Sequence, residues 1–254
     1  LKKKLKNYFN NKNLVTLNSA TSALHLTLHL LKKPVNTIES SSNYAPQLGE
    51  WPGLKDGDEV LSCPLTCTAT NWPILSNNLN IKWVDVDPKT CNMCLDDLEK
   101  QLSEKTKVIM LVHWGGSSID LDKVEKIQQK CKDKYGFRPA VIQDCAHGLG
   151  SEYKGKKLGS TKHDTFTIYS FQAIKHLTTV DGGCLILPDN RYYKRAKLLR
   201  WYGIDRDDNR KDFRCENDIP EWGFKFHMND VAATIGLCNF EHIHKILEKH
   251  KQNA

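Results

Sequence analysis

No part of this sequence is apolar for long enough to cross a bilayer. The longest apolar run, around Val108 to Val112, falls far short of the roughly 20 residues that a spanning helix needs. A secretory leader pattern is missing too, so the expected location is cytoplasmic, with no membrane partner. Glycine (15) and proline (9) are too sparse among 254 residues for a collagen-like or linker-like chain. The net charge of +7 comes from Lys2, Lys3, Lys4, Lys6 and scattered lysines. No compact basic block with interleaved aromatics appears. A solvated surface therefore accounts for the charge better than nucleic-acid binding, and an anionic substrate remains compatible with it.

Cysteine, by contrast, is plentiful. The nine residues are odd in number and scattered through expected strands and helices, which fits a reduced compartment better than a disulfide framework. Cys91 and Cys94 have metal-like spacing, but no second Cys or His pair matches them, so no metal is expected. His25 and His29 lie four apart on an expected helix and lack an evident third ligand.

The hydrophobic content of 39% over 254 residues supports one sizeable core. From Asp58 onward, strand and helix signals alternate. Glu59 to Ser62, Ile81 to Val86, Lys107 to His113, Ala140 to Asp144, Thr165 to Phe171 and Gly183 to Leu187 read as strands. Asp96 to Leu102, a helix from Leu121 closed by Gly136, and Arg191 to Trp201 stopped by Gly203 read as helices. This alternation predicts an α/β fold with a mainly parallel sheet and helices on both faces. Val35 to Asp56, rich in Ser, Asn, Pro and Gly, reads as a surface loop.

Three places could carry chemistry. Ser19-Ala20-Thr21-Ser22 precedes a leucine-rich helix, where backbone N–H groups and the helix dipole suit a phosphate. In isolation the commoner role of such a turn is an ordinary cap. Asp144 ends a buried strand, followed by Cys145, Ala146 and His147. That is where open parallel sheets present functional groups, although a satisfied structural acid would look the same. Lys175 lies among apolar neighbours between two strands, in Ser170-Phe171-Gln172-Ala173-Ile174-Lys175. Desolvation there would free its amine as a nucleophile, yet one lysine among many is usually a surface residue. Gly150 to Lys156 imitates the start of a P-loop, but Lys157 stands where Ser or Thr is required and no helix follows.

The order and spacing of these segments resemble the DegT/DnrJ/EryC1/StrS family of sugar aminotransferases. The landmarks are Ser19 to Leu24, Gly57 to Val60, Thr66 to Thr70, Val112-His113, Asp144 to His147, Ser170 through Lys175 to Gly183, and Gly223 to Gly236. The resemblance covers about Leu14 to Glu248. It implies a three-layer α/β/α large domain of the type I pyridoxal-phosphate transferase fold, and it implies pyridoxal 5'-phosphate as cofactor. By resemblance, Lys175 holds the Schiff-base position, Asp144 pairs with the pyridine nitrogen, and His147 lies beside the ring. Ala20, Thr21, the Ser22 backbone and Ser170 form the phosphate cradle. The stretch Gly223 to Asn229 reaches the active site of a partner subunit, which implies a homodimer with shared sites. The substrates implied are a nucleotide-linked keto sugar and an amino-acid donor, glutamate or glutamine.

Three positions depart from the family pattern. Ala20 replaces the usual Gly of the phosphate turn, Cys67 replaces the aromatic that stacks on the ring, and Lys225 replaces the Asn donated to the phosphate. A related branch uses the same fold for sugar dehydration with His at the Schiff-base position; Lys175 favours transamination. The departures also leave room for a non-catalytic protein with the family's fold. The resemblance further implies a fragment: residues 1–240 as the cofactor-binding domain, and 241–254 as the start of a helix leading to a C-terminal small domain.

Overall fold

The computed structural model describes residues 1–33, 51–207 and 219–253. Its strands are β1 (Leu14–Leu17), β2 (Glu59–Ser62), β3 (Asn80–Trp83), β4 (Thr106–Val112), β5 (Ala140–Asp144), β6 (Glu152–Tyr153), β7 (Lys156–Lys157), β8 (Phe166–Ser170) and β9 (Gly183–Ile186). Its helices are α1 (Lys2–Tyr8), α2 (Ala20–Leu31), α3 (Thr68–Leu75), α4 (Leu95–Gln101), α5 (Leu121–Tyr135), α6 (Asn190–Leu199), α7 (Asp230–Phe240) and α8 (Ile243–Asn253).

Seven strands form one sheet in the order β1-β9-β8-β5-β4-β2-β3. The run from β8 to β3 is parallel throughout, and β9 runs against both β8 and β1. The central strands are apolar on both faces because each face is covered by helices. Along β4, Val108 and Met110 join one core cluster with Leu24 and Leu28 of α2. Their neighbours Ile109 and Leu111 join the other cluster, with Val124 and Ile127 of α5. This is the period-two alternation of a strand, and each buried side chain of this kind contributes roughly 1.5–3 kcal/mol relative to exposure. The expected three-layer α/β/α architecture with a mainly parallel sheet is therefore present.

Local signals explain the helix limits. Asp120 caps α5 by accepting from the Lys123 N–H at 3.1 Å, and Gly136 ends it in the left-handed region at φ 81°. Ser19 caps α2 through the Ser22 N–H at 3.0 Å. Among the described residues, no helix is long and apolar enough to cross a membrane.

Two expectations need correction. The strand expected to reach Val86 stops at Trp83, because Val86 leaves the sheet and bridges to Met93. The surface loop expected over Val35 to Asp56 lies outside the described residues up to position 50; at its end Pro52, Lys55 and Asp56 are exposed as expected, but two apolar side chains turn inward. Trp51 and Leu54 are buried in the α2 cluster, and Trp51 Nε1 donates to the Leu31 carbonyl at 2.8 Å. The P-loop-like segment is the β6–β7 hairpin, turned through Lys154 (φ 49°) and Gly155 (φ 73°).

Candidate active site

A cavity of about 500 Å³ opens at the carboxyl ends of the parallel strands, the place where open α/β sheets bind ligands. Three separated pieces of sequence meet there: Ala20 and Thr21 from the start of α2, Asp144 from the end of β5, and Ser170 and Lys175 from the end of β8 and the loop after it. Cys67, at the N-cap of α3, also lines the cavity.

Asp144 is buried. Its Oδ2 accepts from Thr70 Oγ1 at 2.8 Å and its Oδ1 from the Ala146 N–H at 3.0 Å. Burial raises its pKa. The Thr70 and Ala146 hydrogen bonds, and the charges of His147 and Lys175, pull in the other direction. Among the described residues, no cation forms an ion pair with this carboxylate. A buried anion held only by neutral donors, facing a cavity, leaves a place for a ligand that brings a proton or positive charge.

Lys175 is half-buried on a turn closed by its own N–H to the Gln172 carbonyl at 2.9 Å. The other end of the cavity is built by close approach. A Cβ on Gly183 would lie 2.7 Å from the Ala20 nitrogen and 2.8 Å from the Tyr169 oxygen. Only a glycine there lets the first turn of α2 sit against the start of β9.

Several expected residues sit elsewhere. The Ser22 N–H is consumed by the Ser19 cap, so it is not a free phosphate donor here. His147 lines an adjoining cavity rather than this one, with its ring edge-to-face against Trp114 at 5.6 Å. Burial lowers its pKa, as does the Lys175 charge, while Asp144 raises it. Lys225 is outside the cavity lining, with its ammonium over the Trp201 ring at 4.9 Å. Sequence reasoning missed Thr70, Gln172 and Asp181 as lining residues. Gln172 and Asp181 belong to the Lys175 segment and could have been proposed by proximity. Thr70 had no local signal, because its partner Asp144 lies 74 positions away.

The other metal-like groups have protein partners. His25 Nδ1 bonds Ser76 Oγ at 2.9 Å, and His29 pairs with Glu221 at 3.5 Å. Asp122, Glu125 and His163 converge, but Lys154 and Lys162 pair with Asp122 and make the group an ion-pair network. Cys91 and Cys94 are free thiols.

Several known proteins are similar to this chain in sequence and fold. The crystal structure of AtS13 from Actinomadura melliaura superposes with a TM-score of 0.82 at 44% identity, covering 96% of this chain and 59% of that one. The sugar aminotransferase CalS13 from Micromonospora echinospora gives a TM-score of 0.85 at 38% identity, covering 100% and 62%. The UDP-4-amino-4-deoxy-L-arabinose–oxoglutarate aminotransferase of Shewanella sediminis is 30% identical over 243 residues, 94% of this chain and 55% of that protein. The chain spans about half the length of the curated relatives it matches.

The fold is thus that of the type I pyridoxal-phosphate-dependent sugar aminotransferases. The chain belongs to the DegT/DnrJ/EryC1/StrS aminotransferase family, which it matches over residues 1–254.

Proposed function

We propose that this chain carries the cofactor site of a pyridoxal-phosphate-dependent aminotransferase. Its substrate would be a nucleotide-linked keto sugar, with glutamate or glutamine as amino donor. The observation that carries the reading is Asp144: a buried carboxylate without a cationic partner among the described residues, lining the same cavity as Lys175.

The donor set fits pyridoxal phosphate. Asp144 favours a proton on a ring nitrogen facing it, and Thr70 and the Ala146 N–H hold the carboxylate in place for that role. Ala20 and Thr21, at the positive end of α2, with the Ser170 hydroxyl, would hold the phosphate. Cys67 gives this face a small thiol in place of an aromatic ring. When bound, the cofactor supplies an electron sink for the substrate carbon. Lys175 Nζ would anchor the cofactor, and would also take up and return the proton of that carbon. His147, in the lining of the adjoining cavity, would orient the substrate from that side. Lys225 is turned to Trp201 rather than to its own cavity, which supports a homodimer in which it serves the partner's phosphate as a point charge.

The test is borohydride reduction of the chain mixed with pyridoxal phosphate, followed by peptide mass mapping. The expected result is one cofactor adduct on Lys175, lost in Lys175→Ala while that variant stays folded. Lack of an adduct at Lys175 in the folded wild type would overturn the reading. Transfer of an amine from glutamate to a keto-sugar nucleotide tests the substrate class.

A further inference from the structure

The hydrogen bonding at Asp144 continues past Thr70. Thr70 Oγ1 also lies 2.7 Å from Thr66 Oγ1. A hydroxyl has one proton to give, and an ionised carboxylate can only accept. Thr70 gives its proton to Asp144 Oδ2 at 2.8 Å, so the proton between the two threonines comes from Thr66. The three side chains form a directed chain, from Thr66 to Thr70 to Asp144. Each donor in such a chain polarises the next, which strengthens the last bond to the carboxylate. A hydrogen bond to a charge is also stronger than one to a neutral group. The chain therefore favours the ionised form of Asp144 over the protonated one.

The chain is held on fixed elements. Thr66 stands one residue before Cys67, the N-cap of α3, and Thr70 lies in the first turn, its N–H donating to the Cys67 carbonyl at 3.0 Å. The next residue, Asn71, ties α3 to the end of β2. Its Oδ1 accepts from Ser62 Oγ at 2.6 Å, and its Nδ2 donates to the Cys63 carbonyl at 3.3 Å. Thr66 is half-buried and stands outside the cavity lining, so it can act on a ligand only through Thr70 and Asp144. Burial works against the charge on Asp144, and the charges of His147 and Lys175 support it. The thiols of Cys63 and Cys145 are also within reach, and burial keeps both protonated.

We propose that Thr66 is a positioning residue of the cofactor site: acting through Thr70, it keeps Asp144 ionised and aimed at the ring nitrogen of the bound cofactor. The cofactor's part in this rests on the function proposed above, whereas the charge on Asp144 can be measured without it. The cofactor-free chain is labelled with carbon-13 at its aspartate carboxyl carbons, and the Asp144 signal is identified by its loss in Asp144→Asn. That signal is followed against pH in wild type, Thr66→Val and Thr66→Ser. Valine keeps nearly the shape of threonine without the hydroxyl; serine keeps the hydroxyl. In Thr66→Val the Asp144 midpoint should move to higher pH, and in Thr66→Ser it should return to the wild-type position. Pyridoxal phosphate should bind Thr66→Val about threefold to tenfold more weakly at neutral pH in equilibrium dialysis. The deficit should widen as pH falls toward the raised midpoint, and Thr66→Ser should remove it. Thr66→Ala repeats the comparison with a side chain that cannot crowd the turn. A midpoint that stays in place in both Thr66→Val and Thr66→Ala, or a serine variant that behaves like valine, would overturn the proposal. So would a moved midpoint with unchanged cofactor affinity. Absence of the Lys175 adduct in wild type would overturn the reading beneath it, a separate result because the carboxyl titration needs no cofactor.

Discussion

His113 and Asp144 stand one step apart at the carboxyl ends of neighbouring parallel strands. The His113 N–H donates to the Asp144 carbonyl at 3.1 Å. Both side chains are buried and titratable, yet their surroundings differ in kind. The His113 ring is fully satisfied by protein. Its Nδ1 accepts from the Ile119 N–H at 3.2 Å, so its Nε2 donates to Gln143 Oε1 at 2.8 Å. Burial holds its pKa down at about 4, and the imidazole stays neutral. Asp144 is met by two neutral donors and faces a cavity. The same sheet edge thus holds a group that the fold completes and a group that the fold leaves open. The first is completed within the fold; the second is the one that we propose a ligand completes.

The largest expected effect tests the closed member. An unfolded His113 takes a proton below its ordinary pKa of 6.5, whereas the folded one resists until about 4. Its share of stability is therefore fully present above 6.5 and is lost as pH falls toward 4, up to about 3 kcal/mol. Between pH 7 and pH 4 the stability of wild type, measured by urea unfolding, should fall by about 3 kcal/mol more than that of His113→Gln, a steeper pH slope. Equal slopes would remove the contrast.

Asp144→Asn tests the open member. It replaces a charged hydrogen bond to the cofactor with a neutral one, a loss of about 1.5–3 kcal/mol, so cofactor affinity should fall about 10- to 150-fold. The cofactor-free chain should melt at a higher temperature, because the buried charge is gone and the amide can still meet the Ala146 N–H and the Thr70 hydroxyl. A lower melting temperature would mean that the carboxylate is structural. Thr70→Val should have the smallest effect, a loss of about 1 kcal/mol in the cofactor-free chain, because it leaves one carboxylate oxygen without its donor. In Thr70→Val/Asp144→Asn the penalty should shrink, and a thermal-melt double-mutant cycle measures that coupling.

Much of this arrangement was readable in the linear order of residues. The strand patterns around Val108 to Val112 and Ala140 to Asp144 marked the sheet's centre, and the landmarks around Ser19, Asp144 and Lys175 marked its working edge. The failures share a cause. Trp51 looked like part of a polar loop because its neighbours are polar; it is buried because the Leu31 carbonyl and the α2 cluster receive it. The resemblance put His147 beside the ring; the backbone after β5 brings it to the lining of the adjoining cavity, where its charge still acts on Asp144. The Thr70 contact depends on packing α3 against the end of β5, and nothing near Thr70 announces it.

By itself the sequence determined the periodicities, the caps at Ser19 and Asp120, the left-handed stop at Gly136, and the presence of an amine, an acid and a phosphate-type turn in the family's order. These are local properties, set by backbone sterics and by side chains within a few positions. Only the tertiary structure decided which buried polar groups are satisfied. Hydrogen bonding and desolvation depend on atoms brought together from distant positions, so His113 was closed and Asp144 left open by the packing of the sheet and helices around them.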